Sequence, residues 1–209
     1  MFTSFVNLTE NEIKNRLANI PRQGIVNPYP AGVLKDTSRP AAVLIPLLCA
    51  VDGWRILFIH RTANQDDPHS GQVAFPGGAS ELGDVSLEET ALRETEEEIG
   101  INSSDVRILG RLNDYLTITS YQVTPFVASV PWPHQLKLAL DEVSHTFSIP
   151  LKWLADPTNH EVKERTLPPP YGSIPVIYFK PYEGEILWGA SARFTIGLLE
   201  GLFGNYHHP

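Results

Sequence analysis

The stretch Gly77-Gly78-Ala79-Ser80-Glu81-Leu82-Gly83-Asp84, followed after eight residues by Arg93-Glu94-Thr95-Glu96-Glu97-Glu98-Ile99-Gly100-Ile101, decides how this chain reads. A double glycine behind Pro76 marks a tight turn, because glycine takes positive φ and lets backbones approach closely. Ser86-Leu87-Glu88-Glu89 is a capping box and Gly100 a helix stop, so a helix runs between them. At about 3.6 residues per turn, Glu94, Glu97 and Glu98 share one face. Leu87, Ala91, Leu92, Thr95 and Ile99 face the core opposite this acidic face. Carboxylates crowded at the C-terminal end of a helix sit where its dipole disfavours negative charge, and they repel one another unless a cation lies among them. Hard oxygen donors of this kind suit Mg²⁺ or Mn²⁺. A dense carboxylate site beside a glycine turn points to metal-assisted hydrolysis of a phosphate compound. Arg93 is expected to pair with one carboxylate and orient it. Glu96 faces solvent, and Asp84 reads as an acid near the positive end of the helix.

Outward from this helix the chain is rich in strand signals. Thr9-Glu10-Asn11-Glu12 opens an N-terminal helix with Ile13, Leu17 and Ile20 on one side. Residues 21–40 carry four prolines and read as an irregular connection. Ala41–Val51 suits a strand buried on both faces, and Asp52-Gly53 signals a hairpin to Trp54–His60. Thr62–Gly71 is a polar loop, and Gln72–Phe75 a short strand. Val106–Leu112, Tyr121–Val130, Glu142–Ile149 and Ile174–Phe179 read as further strands, with a short helix or turn near Pro150–Leu154 and a closing helix over Ser191–Phe203. Many strands around one central and one terminal helix predict an α/β protein with a mixed sheet between helices. Residues 1–40 are read as a helix with an irregular extension, and 41–209 as the main domain.

A net charge of −8, from 24 acidic and 16 basic residues, argues against broad nucleic-acid binding. Apolar content of 42% and charged content of 19% fit a globular protein of one domain. The single cysteine, Cys49, makes no internal disulfide and reads as a small core residue. The start lacks the pattern of a signal peptide, and no apolar run approaches a bilayer span, so a cytoplasmic protein with no membrane partner is expected.

The box from Gly78 to Ile101 resembles that of the Nudix hydrolases. Arg93, Glu94, Glu97, Glu98, Gly100 and Ile101 fall in place, with fourteen residues between Gly78 and Arg93 and Asp84 as the first acid. Ile56–Arg61, Ser70–Gly78, Glu142-Val143 and Ile186–Arg193 extend the likeness to the coenzyme A pyrophosphatase branch. The resemblance implies an α/β/α sandwich with a mixed sheet. It also implies Glu94, Glu97 and Glu98 as ligands of Mg²⁺ or Mn²⁺, and a backbone carbonyl of the Gly77-Gly78 turn facing a metal.

In that reading divalent ions neutralise the phosphate oxygens and activate water, and a general base takes one proton from it. Glu98 and Glu142 are the candidates for that base. Glu97 and Arg93 complete the catalytic set. Arg61, whose guanidinium forks onto oxyanions, is a candidate for a substrate phosphate, and Gln72 for the pocket wall. His69 reads as a loop cap, and Trp188 and Arg193 as packing residues. The expected substrate is a nucleoside diphosphate linked to another group, coenzyme A first. ADP-ribose, a dinucleotide or a nucleoside triphosphate is the alternative. A Nudix-fold binding module without catalysis stands behind both, and a homodimer is a prior expectation only.

Overall fold

An almost unbroken apolar run of twelve residues makes β1 (Arg39–Ala50), the axis of the molecule. Its residues alternate between two buried sides, which only a strand between two packed layers can do. Ile45 and Leu47 join one cluster with Ile13, Leu17, Leu198 and Leu199. Ala42 and Leu44 join another with Ala91, and Leu48 packs with Ile99 and Ile101. The computed structural model describes residues 8–34, 37–63 and 71–204.

In chain order the elements are α1 (Glu10–Ala18), β1, β2 (Gly53–Arg61), β3 (Val73–Ala74), β4 (Gly77–Ala79), α2 (Leu87–Ile99), β5 (Arg107–Arg111), β6 (Tyr115–Leu116) and β7 (Tyr121–Val130). Then come β8 (Val143–Pro150), α3 (Leu151–Leu154), β9 (His160–Thr166), β10 (Ser173–Phe179) and α4 (Gly189–Phe203). Among the described residues, β1 to β8 form one mixed sheet, and β9 with β10 a separate antiparallel pair. β1 and β7 run parallel from Arg39↔Tyr121 to Leu48↔Val130, and the other pairings are antiparallel. α2 covers one face, while α1 and α4 cover the other. This is the α/β sandwich with a mixed sheet that the sequence predicts. No helix among the described residues is long and apolar enough to cross a membrane.

One feature of the sheet makes room for a site. The C-terminal half of β1 pairs with β2 (Leu47↔Ile56), whereas its N-terminal half pairs with β4 (Ala42↔Gly78). β2 and β4 therefore lie on the same side of β1 and diverge. The end of β2 and the start of β4 frame the gap that α2 overlies.

Several expectations need correction. Gly77-Gly78 is not only a turn: Gly77–Ala79 is a strand in register with β1. The hairpin loop is Val51-Asp52, since Ala50 pairs with Gly53. Cys49 is exposed, because β1 there runs past the helices that cover its middle. β6, Tyr115-Leu116, is too short for its two residues to show a period, and β9, His-Glu-Val-Lys-Glu-Arg-Thr, is exposed beyond its first residue, so no buried period marks it. His69 and the loop around it lie outside the described residues.

Candidate functional site

α2 starts at Ser86, whose hydroxyl accepts from the Glu89 N–H at 3.1 Å, and stops at Gly100 in the left-handed region at φ 73°. Between these caps its acidic residues are graded by depth. The Glu97 side chain is 59% exposed, Glu94 is 16% exposed, and Glu98 is 1% exposed. Glu98 thus lies on the core side beside Thr95 and Ile99 rather than on an outer acidic face.

Glu98 enters the gap between β2 and β4. Its Oε2 accepts from the Gly77 N–H at 2.9 Å, and Arg61 Nη1 stands 3.4 Å from Oε1. The pairing of β2 with β8 slips between His60↔His145 and Arg61↔Val143, leaving Ser144 as the extra residue. Arg61, on β2 opposite this irregularity, reaches Glu98. The Arg61 N–H donates to the Gln72 carbonyl at 3.0 Å, so Gln72 also borders the gap.

The glycines are needed for closeness. A Cβ on Gly77, at φ 150°, would lie 2.3 Å from the Ala42 carbonyl oxygen. A Cβ on Gly78 would lie 2.6 Å from the Glu94 Cδ and Oε1. The bare backbone of β4 is therefore the cradle of the Glu94 carboxylate.

Arg93 ties the acids together. Its Nε and Nη2 donate to the two Asp84 oxygens at 2.9 and 3.1 Å, and Nη1 donates to Glu94 Oε1 and Glu97 Oε2, both at 3.0 Å. Asp84 also accepts from the Glu81 N–H and the Thr90 hydroxyl. Its side chain is 3% exposed, and the hydrogen bonds from Arg93 first, then from Glu81, hold it well below the usual carboxylate range. Asp84 is thus the anchor of Arg93, a role that its place before the helix did not reveal. Replacing Asp84 by Asn puts an amide N–H₂ among donors. We expect D84N to lose about 10- to 100-fold in activity and to need more Mg²⁺. A Mg²⁺ activation curve and kcat identical to the wild type would refute that support role.

Burial first pushes Glu98 up to about 8, with the charges of Glu94 and Glu142 adding to it against the pull of Gly77 and Arg61. Burial likewise raises Glu94, which Arg93 opposes and the charges of Glu97 and Glu142 reinforce. Two neighbouring carboxyls resist ionising together in such a place unless a cation joins them. Among the described residues no three His, Cys, Asp or Glu side chains form a ready cation cage. Arg93 holds Glu94 and Glu97, while Gly77 and Arg61 hold Glu98. The donor set is nonetheless all oxygen and partly buried, and its carboxylates outnumber the two arginines, so it suits a hard divalent cation.

Glu142 is exposed, and the turn that carries it is hydrogen-bonded to the same end of α2 from outside the box. Trp188 stacks on Tyr178 at 5.5 Å with Arg165 over its ring, and Arg193 lies 3.6 Å from Glu200. Trp188 is thus engaged in ring contacts and Arg193 in an ion pair within α4.

Residues 38–169 match the NUDIX domain. The Nudix hydrolase NudL of Yersinia pestis (strain Pestoides F), described as uncharacterized, is 37% identical over 164 residues, covering 75% of this chain and 76% of that protein. The NudL of Yersinia pseudotuberculosis serotype IB (strain PB1/+) matches to the same extent. Among solved structures, a binary complex of the C. elegans Ap4A hydrolase is 19% identical with a TM-score of 0.47, over 54% of this chain and 80% of that one. The M. smegmatis Nudix hydrolase RenU is 19% identical with a TM-score of 0.48, over 57% and 75%. With this domain match and the 37% identical NudL proteins added to the carboxylates, arginine and glycines already in place, the chain belongs to the Nudix hydrolase family.

Proposed function

We propose that this Nudix hydrolase cleaves the diphosphate bond of a nucleoside diphosphate joined to another moiety, with coenzyme A or a derivative as the first candidate substrate. The observation that carries the reading is the pairing of the buried Glu98 with the half-buried Glu94, set against the bare Gly77-Gly78 backbone with Arg61 at the rim. Mg²⁺ or Mn²⁺ held by Glu94, Glu97 and Glu98 would supply neutralisation of phosphate charge and a more acidic water. Arg61, at the end of β2, carries the forked guanidinium that suits a phosphate oxygen. Arg93, locked by Asp84, keeps Glu94 and Glu97 oriented. Glu142 is the better base of the two candidates: it is exposed and can pass a proton to solvent, whereas Glu98 is committed to Gly77 and Arg61. We place the enzyme in the cytoplasm, acting on small nucleotide derivatives without nucleic-acid or membrane partners.

A second substrate class is favoured by one sequence observation. The coenzyme A branch carries a second arginine in the interval after Arg61, and here Thr62–Ser70 has none and contains Asp66-Asp67. ADP-ribose, dinucleotides and nucleoside triphosphates are therefore the competing substrates. The test is a panel of these compounds and coenzyme A with Mg²⁺ or Mn²⁺, the products resolved by chromatography. Cleavage of coenzyme A to a 4′-phosphopantetheine fragment and adenosine 3′,5′-bisphosphate is the expected result. Exclusive cleavage of another member would move the assignment to it. No turnover with metal binding retained would replace hydrolysis by a binding role.

A further inference from the structure

Glu142, the carboxylate that the box does not supply, is placed by a short turn. After β7 the chain returns to the end of α2, where the Lys137 N–H donates to the Ile99 carbonyl and the Ala139 N–H to the Glu98 carbonyl, both at 3.0 Å. Carbonyls of a last helical turn lack intrahelical partners, so they are natural docking points for another segment. The approach requires Gly100, since a Cβ there would lie 2.8 Å from Lys137 Cβ and 3.0 Å from its backbone N and O. From Ala139 the chain reverses: the Glu142 and Val143 N–H groups donate to the Ala139 carbonyl at 2.9 and 2.8 Å, and β8 begins.

The other side of this turn is held by the residue that follows Arg61. The Thr62 N–H donates to the Glu142 carbonyl at 2.8 Å, and the Thr62 hydroxyl donates to the Leu140 carbonyl at 3.0 Å. Leu140 is 69% exposed, and Asp141 and Glu142 are exposed as well. Little apolar burial can hold residues 140–142, so hydrogen bonds to α2 and to the end of β2 must do so. Those are the two elements that carry Glu98 and Arg61.

We propose that Thr62 is a positioning residue: its hydroxyl and N–H pin the Ala139–Glu142 turn to the end of β2 and so keep Glu142 at the Glu94/Glu98 end of α2. This rests on the reading of Glu142 as the general base. Thr62 touches no reacting group itself, and its effect runs through Glu142.

The test compares T62V, T62S, E142Q and T62V/E142Q with the wild type, using Mg²⁺ and whichever of coenzyme A and ADP-ribose the wild type cleaves. Valine keeps the β-branched shape and removes only the hydroxyl. T62V should lower kcat about 10-fold with KM within about two-fold, because a misplaced base costs turnover rather than binding. T62S should recover most of that loss. E142Q should lower kcat about 100-fold or more, and T62V should add nothing to it, because two residues acting through one group are not additive. In the metal-free protein, amide hydrogen exchange at Glu142 and Val143 should rise in T62V while the β1 and β7 amides stay protected. If E142Q leaves kcat unchanged, the base assignment falls and the role of Thr62 with it. If E142Q is slow and T62V slows it further by the same factor, the base stands and Thr62 does not position it. Unchanged exchange at Glu142 and Val143 in T62V overturns the proposal whatever the substrate.

Discussion

Replacing Glu98 by Gln is expected to lower turnover about a thousand-fold or more and to make the metal-free protein less sensitive to rising pH. Glu98 is buried, and its carboxyl titrates at about 8 rather than its ordinary 4.5. A folded-state value raised in this way means that the fold prefers the protonated acid. Its stabilising contribution is complete below pH 4.5 and is lost as pH climbs through 8. At about 1.4 kcal/mol per unit, the loss is on the order of 5 kcal/mol. A glutamine side chain cannot ionise, so E98Q should show a flatter dependence of stability on pH between about 5 and 9. Its amide oxygen can still accept from the Gly77 N–H, although the N–H₂ then faces Arg61. Divalent metal should act in the opposite sense in the wild type. Its ligands must be deprotonated, so Mg²⁺ should raise Tm more at about pH 8.5 than at about pH 6, and that rise should shrink in E98Q. Thermal unfolding of both proteins across this pH range, with and without Mg²⁺, measures the stability effects, and steady-state hydrolysis measures the loss of turnover. Parallel pH profiles for E98Q and wild type would show that Glu98 is not held neutral by burial, and the electrostatic description of the site would fail.

The second large effect separates two adjacent glycines. Gly77→Ala places a methyl against the Ala42 backbone at a φ that side chains avoid. Neither β1 nor β4 can yield without breaking the pairing Val43↔Gly77. We expect a loss of about 3 kcal/mol or more, or roughly 6–12 °C in Tm for a domain of this size. Gly78→Ala meets only the far end of the Glu94 side chain. That carboxylate can swing aside, so G78A should unfold within a few degrees of the wild type. Its activity should nevertheless fall about 100-fold, because a small misplacement at a reacting centre is that costly. Equal stability losses in the two variants would mean that β4, not Glu94, feels the Gly78 methyl.

The caps of α2 and the apolar runs of β1 and β7 are local signals, legible in consecutive residues, and each element stands close to where it was expected. The spacing of Glu94, Glu97 and Glu98 is equally local, because a helix converts sequence separation into angle. Their depths are not local. Glu98 is buried and Glu97 exposed because of where β2 and β4 diverge, and nothing in the helix sequence records that divergence. The same holds for Asp84. A carboxylate nine residues before Arg93 is an ordinary helix-terminal acid until the turn at Glu81–Asp84 folds it under the guanidinium.

The sequence by itself determined the family, the spacing of the carboxylates along α2 and the order of the main elements, because these depend on residue type and short-range spacing. Tertiary structure alone decided the rest. It put Arg61, at the end of β2, within 3.4 Å of Glu98. It made Gly78 the seat of Glu94, and it hung Glu142 from the end of α2 and from Thr62. Each of these joins residues distant in the chain across strand ends and packed layers. Such contacts are set by strand register and layer packing, which no local pattern encodes.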